Sequence, residues 1–192
     1  DQAHQQIKKL ESLPPSILYI DQILNEGRLG LAETKCRAFL KKNPTHTYAM
    51  SLLSEIANRM GYFDDAEFLL EKAVEFDPND GDLRMKYAMV LRKKQKFNKT
   101  MEQVNILCDQ FPENMNYQAQ KASEIMQNGD HAKAIKLFDH ILEKNPFNFS
   151  THTSKGHAQK TLGKTDQAIQ SYQSAYKIKP DHGEAFFSLA NL

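Results

Sequence analysis

Three groups of residues have types that could do chemistry: the stretch from Ala158 to Thr165, the histidines and the cysteines. The stretch reads AQKTLGKT and fits a permissive form of the phosphate-binding loop, in which alanine replaces the first glycine. That loop needs a preceding strand and a glycine-rich turn whose amides surround the phosphates. Here the residues up to Leu162 follow a helical pattern and Gly163 stands at a helix end, so we expect no nucleotide site.

The histidines and cysteines lack the spacing of a metal site or a nucleophile. His152 and His157 are five residues apart, on different faces of a helix, and Cys36 and Cys108 are far apart in the chain. There is no HExxH or CxxC pattern and no Ser/His/Asp arrangement. We therefore expect a non-catalytic segment with no cofactor and no metal. The isolated cysteines favour a reducing, cytoplasmic location.

The charge and composition disfavour nucleic acid and membrane partners. The 192 residues are 40% hydrophobic, and 25 Lys and Arg nearly cancel 24 Asp and Glu, which leaves no global field. No apolar stretch approaches the length that spans a bilayer. An RNA-binding helical repeat would need a basic inner face, so this alternative is also disfavoured.

A repeat positions these residues. Five of the seven prolines are 34 residues apart, at Pro44, Pro78, Pro112, Pro146 and Pro180. If this proline is position 32, the repeats cover 13–46, 47–80, 81–114, 115–148 and 149–182. Residues 1–12 are predicted to be a capping helix, and residues 183–192 the start of a sixth repeat or a C-terminal helix.

Each repeat has the pattern of two helices, A and B. Position 8 is small in all repeats but the first, and positions 20, 24 and 27 form an apolar stripe at helical spacing. Position 15 is glycine in four of the five repeats, which predicts a turn between the helices. Asp64, Asp65, Asp130, and Thr165 with Asp166 follow that turn and are predicted to cap helix B.

These residues resemble the tetratricopeptide repeat family, with its small residue at 8, alanine at 20, aromatic or aliphatic residue at 24 and proline at 32. The resemblance covers residues 13–182 and implies an all-α fold, a right-handed α-solenoid of antiparallel helix pairs. The bulky aromatic usual at position 4 is replaced by Met50, Arg84, Gln118 and His152.

The resemblance also implies a binding site. In this family positions 2, 5, 9, 12 and 13 of the A helices line a concave groove that holds a peptide or partner protein. Arginine and lysine there could pair with carboxylates, and methionine offers adaptable apolar contact, although all could equally be ordinary solvated positions. The predicted partner-binding residues are Tyr48, Glu55, Asn58, Arg59, Met85, Met89, Arg92, Lys93, Asn116, Met126, Gln127, His157, Lys160 and Asn191.

Two functions follow from the resemblance. The first is a protein-protein interaction scaffold that binds a partner in its groove. The alternative comes from the segment KPDHGEAFFSLANL at 179–192, which is similar to the junction in bacterial tetratricopeptide-containing sulfotransferases. In that case the catalytic domain would lie beyond Leu192. A homodimer through Phe186, Phe187 and Leu189 is a further expectation.

Charge is uneven between neighbouring repeats. Repeat 2 has eight acidic and two basic residues (net −6), and repeat 3 has four acidic and seven basic residues (net +3). We expect helix B of repeat 2 to attract the basic run from Arg92 to Lys96, although the acidic surface could instead dock a partner.

Overall fold

The structure is a computed structural model that describes residues 13–181 and 183–191. This part of the chain contains eleven α-helices and no strand, so the predicted all-α class is confirmed. The predicted capping helix at 1–12 lies outside the described residues. In chain order the helices are α1 (Pro15–Asn25), α2 (Leu29–Lys42), α3 (Thr47–Arg59), α4 (Phe63–Phe76), α5 (Gly81–Lys93), α6 (Phe97–Gln110), α7 (Met115–Gln127), α8 (His131–Lys144), α9 (Phe149–Thr161), α10 (Thr165–Ile178) and α11 (Gly183–Ala190).

The odd-numbered helices are the A helices and the even-numbered ones are the B helices. The chain divides into two compact units, of which unit 1 ends at Gln103 and unit 2 begins at Val104, inside α6. In unit 1, each helix from α1 to α5 packs on the next, and the A helices α1, α3 and α5 also touch in order. In unit 2, each helix from α7 to α11 packs on the next, and α7 touches α9.

The predicted apolar stripe of the B helices is confirmed as core. All five residues at position 20 have no exposed surface, and those at positions 24 and 27 are buried except for the half-buried Phe39. Small side chains recur at position 20, where every residue is fully buried. The position 20 residues are Ala32, Ala66, Thr100, Ala134 and Ala168.

The turns between A and B helices need a left-handed backbone at position 15. Gly27, Gly61, Gly129 and Gly163 have φ values from 71° to 91°, which glycine adopts without steric cost. Gln95 takes the same conformation, with φ of 57°, at a cost of about 1 kcal/mol. The conformation is therefore kept even where the glycine is missing.

Position 34 caps the next A helix, which the sequence had not revealed. At the starts of α3, α5, α7 and α9 a side chain accepts a hydrogen bond from a backbone N–H of the first turn. The capping residues are His46, Asp80, Asn114 and Asn148. Together with the preceding proline, they fix where each A helix begins.

Of the predicted B-helix caps, Asp130 is confirmed, because its carboxylate accepts from the Lys133 N–H at 3.0 Å. The predictions for Asp64, Asp65, Thr165 and Asp166 were wrong. Helices α4 and α10 begin directly after Tyr62 and Lys164, whose side chains accept no capping bond. The predicted residues therefore lie within the first turn, where a carboxylate acts on the helix dipole instead.

None of the helices within residues 13–181 and 183–191 has the length and apolar character needed to cross a membrane.

Candidate partner-binding face

Neighbouring A helices of unit 1 are joined by side-chain hydrogen bonds with a spacing of 35 residues. They run from Arg59 Nη1 to the Leu24 carbonyl (3.1 Å), from Lys86 Nζ to Ser51 Oγ (2.8 Å) and from Lys93 Nζ to Asn58 Oδ1 (2.9 Å). One repeat is 34 residues long, so two residues 35 apart occupy neighbouring positions on successive A helices. The joined residues therefore lie on one face of the A helices. We call this face the inner face of unit 1.

Arg59 and Lys93, two predicted cations of this face, are engaged with other groups of the protein. Arg59 forms an ion pair with Glu55, one turn earlier on α3, in addition to its bond to the Leu24 carbonyl. Lys93 combines its bond to Asn58 with a position 5.8 Å from the centre of the Phe63 ring. A ligand carboxylate would have to displace these partners. The third cation, Arg92, is half-buried.

Three side chains at the predicted groove positions of α3 and α5 are aromatic or apolar, and we call them the apolar strip. Met85 and Met89 are one helical turn apart on α5; Met85 is half-buried and Met89 is 54% exposed. Tyr48 on α3 is half-buried, and burial together with the carboxylates of Asp21 and Glu55 raises the pKa of its hydroxyl. The methionine side chains are unbranched and polarizable, so this strip can adapt to different apolar groups.

In unit 2 the predicted residues of α9 contact the last helix. Nδ1 of His157 lies 2.9 Å from the hydroxyl of the buried Tyr172, and its Nε2 lies 3.2 Å from a Glu184 oxygen. Lys160 Nζ donates to the backbone carbonyl of Asn191 at 2.8 Å. These contacts tie α11 to α9. The remaining predicted residues, on α7, are the exposed Asn116 and Gln127 and the half-buried Met126.

The polar residues at position 4 have a role that the sequence did not predict. In three repeats this side chain hydrogen-bonds the carbonyl of the proline six residues earlier, in the turn between repeats. The pairs are Arg84 Nη2 with Pro78 (2.8 Å), Gln118 Nε2 with Pro112 (3.2 Å) and His152 Nε2 with Pro146 (2.9 Å). The signal was present in the sequence as three polar residues at a fixed distance from the periodic proline.

The predicted attraction between repeats 2 and 3 is present as a cluster of ion pairs. Lys94 contacts both Asp64 and Glu67, and Lys96 Nζ lies 2.6 Å from Glu67 Oε1. Burial alone would raise the pKa of Glu67, but the hydrogen bonds from Lys94 and Lys96 outweigh it and lower that pKa. The acidic side of α4 is therefore partly neutralised by its own neighbour.

The phosphate-loop match is a helix-turn-helix segment. Ala158 is fully buried in α9, Gly163 has a φ of 71°, and Thr165 is the first residue of α10. Within the part of the chain that the structure describes, no three His, Cys, Asp or Glu side chains are grouped to hold a metal ion.

Comparison with known proteins gives the class of this fold. Residues 48–80 and 149–182 match the family model of the tetratricopeptide repeat, and these ranges are repeats 2 and 5. Two segments of the chain are therefore similar to the tetratricopeptide repeat, within an all-helical repeat fold. A curated relative, the tetratricopeptide repeat-containing protein trd-1 of Caenorhabditis elegans, is 24% identical over 134 residues. The match covers 69% of this chain but only 16% of that relative.

Solved structures share this fold at low sequence identity. A tetratricopeptide repeat protein from Parabacteroides merdae has a TM-score of 0.82 and 18% identity, with 92% of this chain and 70% of that chain covered. YrrB, described as having an unusual peptide-binding site, has a TM-score of 0.73 and 17% identity, with 98% and 97% covered. MamA has a TM-score of 0.74 and 16% identity, with 86% and 96% covered.

Proposed function

We propose that this chain is a protein-protein interaction scaffold that binds a peptide segment of a partner on the inner face of unit 1. The binding surface consists of the strip formed by Tyr48, Met85 and Met89, bordered by the hydrogen bonds between neighbouring A helices. The segment itself does no chemistry in this proposal, and it takes no cofactor.

The exposed side chain of Met89 is the observation that carries this proposal. Methionine is usually buried, yet more than half of this side chain is exposed in the middle of a helix face. Next to it, Arg59 and Lys93 are engaged with protein groups, so the face offers apolar contact more readily than unpaired charge. Such a surface suits an apolar or amphipathic segment.

The comparisons support this proposal in one respect. YrrB has the same fold over nearly the whole chain and is described as a peptide-binding protein. The likeness at 17% identity extends to the fold alone, so the ligand of the present protein has to be found directly.

Selection from a peptide library displayed on phage tests the proposal. The full chain is immobilised for the selection, and the Met89→Glu variant is kept back for binding measurements on the selected peptides. We expect the selected peptides to bind the wild-type chain with micromolar affinity and to bind Met89→Glu at least about tenfold more weakly, since the carboxylate must be desolvated against an apolar contact.

The matched control is Phe68→Glu on α4. Phe68 is 59% exposed, similar to Met89, but it lies on a B helix. The selected peptides should bind this variant as well as they bind the wild-type chain. Equal binding to Met89→Glu and the wild-type chain, or a selection that yields no binder, contradicts the proposal.

The remaining expectations from the sequence stay proposals. A cytoplasmic location rests on Cys36 and Cys108, which are buried and unpaired. Homodimerisation rests on Phe186 and Phe187, which are 57% and 65% exposed, and light scattering of a Phe187→Glu variant tests it. The alternative role as an arm of a sulfotransferase rests on the similarity of residues 179–192 alone.

A further inference from the structure

A polar pocket of about 540 Å³ lies in unit 2, between the B helices α8 and α10. Its lining comes from α8, α9, α10 and the turn before α10. Nine of its ten lining residues are polar. They are Ile135, Asp139, His152, Lys155, Gln159, Lys164, Gln167, Gln170, Ser171 and Ser174.

The pocket is separate from the predicted groove. On α9 the groove positions include His157 and Lys160, whereas the pocket uses His152, Lys155 and Gln159. The three pocket residues are spaced by three and four, so they form a second stripe on α9. A ligand in the pocket would therefore meet a different side of this helix from a ligand in the groove.

Gln159 gives the pocket hydrogen-bond donors in a fixed place. This side chain is only 4% exposed, and its Oε1 accepts a hydrogen bond from Ser171 Oγ at 2.7 Å. Since the oxygen end of the amide is held by Ser171, the Nε2 end carries the two donors that the side chain brings to the pocket. An acceptor oxygen is the group that these donors match.

The charges of the pocket also favour an acceptor with negative charge. Asp139 is its single carboxylate and is paired with Lys155 at 2.6 Å. The second ammonium group belongs to Lys164, which is exposed at the turn before α10. The lining thus contains two lysines against one aspartate. This excess of positive charge lies beside the amide donors.

We propose that this pocket binds an extended peptide segment that carries a carboxylate. The carboxylate pairs with Lys164, and carbonyl oxygens of the segment accept hydrogen bonds from the amide groups of Gln159 and Gln170. Amide side chains suit this role because each has one donor end and one acceptor end, like the peptide bond itself. The described lining holds no phenylalanine, tyrosine or tryptophan, so it provides no such ring for stacking a nucleobase.

Titration of the full, isotopically labelled chain by nuclear magnetic resonance tests the proposal. The probe is acetyl-Ser-Ala-Glu-Ala-Ser-amide, and the matched probe has glutamine in place of glutamate. We expect the glutamate peptide to shift the side-chain amide signals of Gln159 and Gln170. The glutamine peptide should bind about fivefold more weakly, which is the upper range for one partly exposed charge pair.

Two further probes identify the source of the carboxylate. If the pocket takes the carboxylate of a chain end, acetyl-Ser-Ala-Gln-Ala-Ser with a free C-terminus should bind more tightly than the glutamate peptide. If the pocket takes a side-chain carboxylate, the glutamate peptide should bind more tightly. Either result supports the proposal. Sodium acetate must bind more weakly than the tighter peptide. If acetate binds equally well, the pocket is a general anion site and the proposal is overturned.

A pair of lysine variants provides the control within the chain. Lys164→Gln should lower the affinity for the glutamate peptide about fivefold. Lys177→Gln removes an exposed charge near the end of α10, outside the pocket, and should leave the affinity unchanged. Equal effects of the two variants, or peptide shifts confined to His157 and Lys160 instead of the pocket, overturn the proposal.

Discussion

The ring of Tyr172 lies directly against the backbone of Gly156. A Cβ atom placed on Gly156 would be 2.5 Å from Cε1 and 2.7 Å from Cδ1 of that ring. Tyr172 has no exposed surface, and its hydroxyl oxygen is 2.9 Å from Nδ1 of His157. The absence of a side chain at Gly156 therefore makes room for the largest fully buried side chain of the described core.

We expect Gly156→Ala to destabilise the protein by up to about 2 kcal/mol. Overpacking of a buried ring costs about 1–3 kcal/mol, and the better helix propensity of alanine returns about 1 kcal/mol. The measurement is urea unfolding followed by circular dichroism. The matched control is Gly30→Ala in α2, where a Cβ meets no atom within 4 Å, and this variant should be equally or more stable than the wild type. Equal stability changes in both variants would refute the steric account.

The cluster around Lys94 gives a second prediction. We expect Lys94→Met to destabilise the protein at neutral pH, because Glu67 is only 8% exposed and would lose one of its two lysine partners. The same replacement at Lys72, whose pair with Glu75 lies on the exposed side of α4, should have a smaller effect. Chemical unfolding of both variants compares them.

The effect of Lys94→Met should also depend on pH. The pKa of Glu67 is lowered in the folded protein, so the stabilisation is present above the ordinary glutamate pKa of 4.5 and is lost as the pH falls through the folded value. The difference between wild type and variant should therefore shrink in acid. A difference that stays constant from neutral pH to pH 3 would show that Lys94 acts through packing.

Arg84 gives a third prediction. The residue is 7% exposed, burial lowers its pKa, and its Nε has no hydrogen-bond partner. We expect Arg84→Met to be neutral or to stabilise the protein by up to about 1 kcal/mol, because the cost of burying the charge disappears. Met50 shows that methionine fits position 4 of this fold.

The comparison for Arg84 is its replacement by alanine. Arg84→Ala also removes the charge but leaves a cavity, so it should be less stable than Arg84→Met. Thermal unfolding of the two variants separates the effect of removing the charge from the effect of removing side-chain volume. A clear loss of stability in Arg84→Met would instead show that the bonds to Pro78 and Gln103 outweigh the burial of the charge.

Cys36 gives a fourth prediction, on reactivity. Burial raises the pKa of its thiol to about 11, and its Sγ lies 3.2 Å from the Ala49 carbonyl. In a Cys108→Ser variant at pH 8, Cys36 should react with Ellman's reagent at least about a hundredfold more slowly than a free cysteine. Urea should restore the fast rate. Fast labelling of the folded chain would contradict the packing of α2 on α3.

The same shift has a consequence for stability. The folded pKa of Cys36 lies above the ordinary value of 9.0, so the folded protein holds the proton more tightly. Its contribution to stability is complete below pH 9 and is lost as the pH rises toward 11. Replacement by alanine should remove this part of the alkaline sensitivity, which unfolding at pH 8 and pH 10.5 would measure.

Periodicity made most of the fold predictable. The proline at position 32, the left-handed residue at position 15 and the stripe at positions 20, 24 and 27 each follow from local backbone or helix geometry. The B-helix caps were less predictable, because a shift of two residues in the helix start moves Asp64 from the cap into the first turn. The residue at which a B helix begins depends on the conformation of the whole turn that precedes it.

The candidate site was predictable only in part. The spacing predicted that Met85, Met89 and Lys93 share a face, because they are on one helix. It did not reveal that Lys93 bonds Asn58, since the offset between neighbouring A helices depends on how the repeats pack. The bond between Gln118 and the Pro112 carbonyl does not follow from the family pattern, because that pattern has a bulky aromatic residue at position 4.

The bonds with a spacing of 35 residues also determine how unit 1 responds to mechanical force. Each one joins an A helix to the next A helix through a long, partly exposed side chain, and water can replace it. Tension along the chain would break these bonds first, while the buried contacts between the helices of each repeat stay intact. Arg59, Lys86 and Lys93 would therefore contribute to the stiffness of unit 1, in addition to the buried clusters that join its repeats.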